Sequence, residues 1–137
     1  MRIMAIDYGD ARTGVAISDL LCSITGSTQV IHGRMQDKLI VSLLQIVKEN
    51  EVGEIVVGLP RNMDGSEGPR AELCRQFAAR VEEATGLPVK LWDERWTTVE
   101  AHRILNDHNY HGKKRKNTVD AVAASLILEG SLAFRGR

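Results

Sequence analysis

Short apolar runs alternate with helical stripes along the chain. Arg2 to Asp7 (RIMAID) is an apolar run closed by an acid, the pattern of a buried strand. Gly9 and Gly14 bracket a turn, and Val15 to Ser18 (VAIS) predicts a second strand, antiparallel to the first because the link is short. Thr28 to His32 (TQVIH) predicts a third. From Asp37 to Asn50, the residues Leu39, Ile40, Leu43, Leu44 and Val47 share one helical face, with Asp37 near the helix start. Glu54 to Leu59 (EIVVGL) is a β-branched buried strand that stops at Pro60. Arg61 to Pro69, rich in Gly, Asn and Asp, reads as a loop. Glu72 to Thr85 places Leu73, Cys74, Phe77, Ala78 and Val81 on one stripe, and Gly86 ends that helix. Val89 to Trp92 predicts a strand running into Asp93 and Glu94, and Thr98 to Leu105 a short helix. The polar, basic stretch His108 to Asn117 reads as a mobile loop, and Thr118 to Ala133 as a final helix capped by Asn117 or Thr118.

Three strands in a meander followed by strand–helix alternation predict an α/β fold. Its core is a mixed five-stranded sheet with helices on both faces. The chain has 137 residues, which suits one domain over 1–137 and is long enough to bury a full core. With 43% hydrophobic and 26% charged residues, it sits among ordered globular proteins. No apolar run approaches the roughly 20 residues of a membrane span. Asp7 and Asp10 interrupt the N-terminal apolar stretch too early for a signal peptide. Cys22 and Cys74 form no CxxC or metal spacing, as expected of two thiols in a reducing cytoplasm.

Charge changes the picture locally. Eighteen basic residues balance eighteen acidic ones. From His111 to Arg137, six basic side chains face two acids, a net +4, which leaves −4 on the first 110 residues. A basic patch beside an otherwise balanced body suits an enzyme that meets a polyanion at one place. Asp7, at the end of a strand, either meets a divalent cation or caps the turn Asp7-Tyr8-Gly9-Asp10. Asp93 and Glu94 also end a strand. Alternation puts them on opposite faces, so one aims into a site or both make a charge pair with Arg95. Asp120 opens the predicted last helix, where the helix dipole would favour it. The small residues after it (Ala121, Ala123, Ala124) would let that helix lie close to the sheet.

Three carboxylates from separate segments, converging on the carboxyl edge of a sheet, repel unless a cation bridges them. Mg²⁺ suits them because it takes oxygen ligands and keeps several waters, and two such ions serve phosphodiester cleavage. His102, His108 and His111 lack zinc spacing. The run Lys113, Lys114, Arg115, Lys116 is a solvated surface run or, flanking Asp120, a binder of nucleic-acid backbone. Arg61 and its loop offer further phosphate contacts, although the loop lacks the P-loop pattern. Tyr110 or Trp96 offers a ring to a base, if neither is core or rim.

Four blocks in order resemble the YqgF (RuvX) family, over nearly the whole chain. They are Asp7 to Asp19 (DYGDARTGVAISD), Gly58 to Gly68 (GLPRNMDGSEG), Asp93 to Thr98 (DERWTT), and Lys114 to Ala124 (KRKNTVDAVAA) followed by Ser125 to Leu128. The resemblance implies a ribonuclease H-like fold and a nuclease using Mg²⁺ or Mn²⁺. It implies processing of the 5′ end of the 16S ribosomal RNA precursor, with cutting of Holliday junctions or other branched DNA as the alternative. On this sequence the family's acids fall on Asp7, Glu94 and Asp120, with Asp93 the lesser choice beside Glu94. Arg61, Arg95 and Lys113 to Lys116 become backbone contacts. Relative to the resolvases, the strand Glu54 to Leu59 ends in Gly-Leu-Pro where they carry a catalytic Glu, so Glu94 substitutes from the next strand. The last helix carries one acid near its start where they carry two. The expected protein is cytoplasmic, a monomer or homodimer, and has no membrane partner. Two other classes compete. An actin-like or sugar-kinase ATPase would need a second domain and a second phosphate loop, and a silent ribosome-assembly factor would not need Glu94.

Overall fold

A computed structural model describes residues 1–93 and 112–135, with side chains from 119 to 134 in the last helix. The first five elements are β1 (Arg2–Asp7), β2 (Arg12–Ser18), β3 (Thr25–His32), α1 (Gln36–Glu49) and β4 (Val52–Leu59). They are followed by α2 (Pro69–Thr85), β5 (Val89–Asp93) and α3 (Gly112–Arg135). The sheet order is β3-β2-β1-β4-β5. The β1–β2 and β2–β3 pairs are antiparallel, whereas β1–β4 and β4–β5 are parallel. The predicted mixed five-stranded sheet is therefore present. The short predicted helix Thr98 to Leu105 lies outside the described residues.

The two faces of the sheet follow from strand alternation. Met4, Ile6, Val15, Ile17, Ile55 and Val57 face α1 and α2, where Leu39, Leu43, Phe77 and Val81 complete the larger core. Ile3, Ala5, Ala16 and Val56 face α3 and meet Ala124, Ile127, Leu128 and Leu132. Small residues on both sides of this second layer let the helix approach closely. At Gly14 an added Cβ would lie 2.2 Å from the Asp120 carbonyl oxygen.

Several boundaries differ from the sequence expectation. The second and third strands begin at Arg12 and Thr25, earlier than Val15 and Thr28, because their pairing runs on past the apolar cores of the runs. The second helix starts at Pro69, three residues before Glu72. Proline fits that first position, where a backbone N–H has no helical acceptor anyway. Gly86 closes this helix in the left-handed region, with φ 70°, as expected. The largest revision concerns α3. It begins at Gly112, six residues before Thr118, so residues 112–117 are helical rather than loop. Lys and Arg are good helix formers, and a polar run at a helix start lacks the apolar stripe that announces a helix.

Candidate active site at the carboxyl edge of the sheet

The last residue of β1, Asp7, pairs across the sheet with Gly14 of β2. Alternation gives Asp7 the same face as Ile3 and Ala5, the face that α3 covers. The Asp120 backbone rests on Gly14, so the helix delivers Asp120 to the position opposite Asp7. Arg12, two residues before Gly14 and on the same face, donates from Nε to Asp120 Oδ2 at 2.9 Å. This ion pair is only about one-fifth exposed on the aspartate side. Asp120 is the ninth residue of α3, not a first-turn residue. The helix dipole is therefore not what holds it, and Arg12 is.

The turn after β1 is built tightly beneath this pair. The Gly9 N–H donates to Thr13 Oγ1 at 3.5 Å, and a Cβ at Gly9 would strike the Arg12 carbonyl. Tyr8 points to the opposite face, where its ring stacks on Phe77 with centroids 4.0 Å apart. The Arg70 guanidinium lies over the Tyr8 ring at 5.0 Å and donates to Asp10 Oδ1 at 2.8 Å and to the Tyr8 carbonyl. The segment carrying Asp7 is thus anchored to α2.

Asp93 ends β5 in register with Leu59. Its carboxylate faces Arg61 Nη1 at 3.7 Å, and Arg61 also approaches Glu67 Oε2 at 3.5 Å. The expected Arg95 partner lies outside the described residues, as do Glu94, Trp96, Tyr110 and the three histidines from His102 to His111. Lys113, Lys114, Arg115 and Lys116 occupy the first turns of α3, with their side chains outside the described set. Glu67 is held by Arg75 through bonds of 2.7 and 2.8 Å. That contact, reinforced by the Arg75 and Arg61 charges, keeps the Glu67 carboxyl below its usual range. The remaining strand acid, Glu54, is buried at the start of β4, away from this edge, and pairs with Lys90 at 2.9 Å. It is structural.

Among the described residues, no three His, Cys, Asp or Glu side chains gather closely enough to hold a metal ion. The structure brings together two of the three expected acids, Asp7 and Asp120. It also adds Arg12, which the sequence reading passed over, and Gly14, which was expected to close a turn and instead lies inside β2. The alternation Arg12, Gly14, Ala16 along β2 carried the signal for both.

A family model described as RuvX, Holliday junction resolvase, matches residues 1–133. The chain belongs to the RuvX family. A relative from Halothermothrix orenii is 46% identical over 137 residues, covering 100% of this chain and 98% of its own. One from Pelotomaculum thermopropionicum is 44% identical over 138 residues, covering 100% and 90%. Both bear the provisional name pre-16S rRNA nuclease. In fold, this RuvX chain is similar to Thermus thermophilus RuvC, solved with a Holliday junction substrate. The TM-score is 0.60 at 13% identity, covering 99% of this chain and 96% of the other. It is also similar to the Fowlpox virus resolvase, solved with Holliday junction DNA. There the TM-score is 0.64 at 10% identity, covering 100% of both. These likenesses establish the ribonuclease H-like architecture that the sequence implied.

Proposed function

We propose that the chain is a cytoplasmic metal-dependent endonuclease that processes a 16S ribosomal RNA precursor, acting as one nuclease unit over 1–137. The observation that carries this reading is the convergence of Asp7 and Asp120 on one face at the Gly14 crossing. Carboxylate oxygens are the donors Mg²⁺ or Mn²⁺ prefers, and Arg12 engages Oδ2 of Asp120 only. Asp7 and Asp120 would hold the ion, with Glu94 as the third acid. Asp93 is turned to Arg61, which leaves Glu94 of the same block for the third position. When bound, such an ion supplies water activation and stabilises charge at the leaving oxygen. Arg12 orients Asp120. Arg61, Arg95 and Lys113 to Lys116 hold the backbone. The Arg61 pairs are long, and its buried Nε has no partner among the described residues, which favours a guanidinium that turns toward phosphate.

The family description and the RuvC-like fold favour a second reading, in which the same acids cut four-way DNA junctions. A cleavage assay in Mn²⁺ decides. Wild type and Asp7→Asn are run on a 16S precursor and on a four-way junction. The expected outcome is cleavage of the precursor by wild type alone. Cleavage of the junction alone would select the second reading, and equal background from both proteins would remove the carboxylate–metal account.

A further inference from the structure

The row of paired residues Asp7–Gly14–Val30 crosses from β1 to β3, two strand spacings or about 10 Å. Just beyond it, where β3 ends and α1 begins, lies an open cleft of about 250 Å³. Its lining mixes Ile31, Met35 and Leu39 with His32, Arg34 and Lys38. His32 sits directly across from Arg12, the partner of Asp120, so cleft and acids share one sheet edge, with Ile31 and Leu39 on the α1 face and the acids on the α3 face, and a strand joining them rounds the end of β3. Gly33 continues that pairing by donating to the Ala11 carbonyl at 2.9 Å.

The charge here is uncommitted. Arg2, Arg12, Arg61, Arg70, Arg75 and Arg80 each hold a carboxylate, carbonyl or amide oxygen. Among the described residues, Arg34 and Lys38 make no such bond or ion pair. The acid between them in sequence, Asp37, is neutralised by Arg80 at 2.7 Å. Two exposed cations beside an apolar floor match a phosphodiester strand, with phosphates on the cations and a sugar or base edge on Ile31 and Met35.

We propose that this cleft is a second backbone-binding subsite, which takes the single-stranded nucleic acid a few nucleotides from the scissile bond. The inference rests on the nuclease reading above and extends it. The test is fluorescence anisotropy with a labelled single-stranded RNA, in EDTA to prevent cleavage, over a salt series. The Arg34→Gln/Lys38→Gln double variant should weaken binding roughly 10-fold near 0.1 M salt and lower the log–log salt slope by about 1.4, for two lost phosphate contacts. Lys48→Gln, at the far end of α1, should change neither. If the double variant binds as wild type does while Lys113→Gln/Lys114→Gln binds weakly, the cleft lies off the path and the nuclease reading stands. If wild type binds neither the RNA nor a four-way junction, both fall together. If the double variant loses adenosine monophosphate but keeps RNA, the cleft is a mononucleotide site and the proposal is overturned.

Discussion

Gly14 sets how closely α3 can approach the sheet, and thereby where Asp120 stands. A methyl group there has no room, since both the carbonyl oxygen and carbon of Asp120 lie within 3 Å of its place. Gly14→Ala must push the helix away, at a cost of about 1–3 kcal/mol for overpacking. The separation of Asp7 from Asp120 should grow with it. We expect a lower urea midpoint with unchanged slope, and cleavage reduced by more than the stability loss explains. Arg12 presents the opposite balance. Its pair with Asp120 is partly solvated, so Arg12→Gln should change stability by less than about 1 kcal/mol. It should lower kcat, because the Asp120 carboxylate loses the donor that fixes its rotation. A melt and a rate measured on the same preparation separate the two effects. If rate and stability fall in proportion, Arg12 is only a structural partner.

At the scale of elements, the site is held from both layers. Tyr8 follows Asp7 and stacks on Phe77 of α2, whose ring is fully buried. Phe77→Ala should cost about 3–5 kcal/mol and loosen the Asp7 turn, read as faster amide exchange at Gly9. The loop between β4 and α2 depends on Glu67, whose carboxyl is lowered by Arg75. A depressed folded value means that the contribution is present above the unfolded value of 4.5 and is lost as pH falls through the folded one. Proteolysis within residues 61–68 should accelerate below about pH 4.5 in wild type. In Glu67→Gln it should be fast at every pH. What was legible in the sequence follows the same physics. Strands with a buried face announced themselves through apolar runs, and so did the stripes of α1 and α2. The first turns of α3 did not, because Lys113 to Lys116 present no apolar face. Asp7 was legible as an acid closing a strand. Arg12 was not, because its role is fixed by a helix residue 108 positions away.

The whole molecule bears on which substrate is cut. Its net charge is zero, so general attraction to polyanions is weak and binding must come from the local cations at the carboxyl edge of the sheet. One set of acids per chain suffices for a single cut in RNA. A four-way junction requires two coordinated cuts, and therefore two chains related by a twofold axis. The two readings thus differ in how rate scales with protein. For a 16S precursor, the rate per chain should stay constant as the protein is diluted, and sedimentation should give the 15.2 kDa monomer at the same concentrations. For a junction cut by a pair of chains, the rate per chain should fall on dilution in step with loss of a dimer. A constant rate per chain on RNA, with no dimer detected, would place the activity in the single carboxylate face formed by β1, β2 and α3. A rate that collapses with a measured dimer would mean that this face works only when two copies are held together.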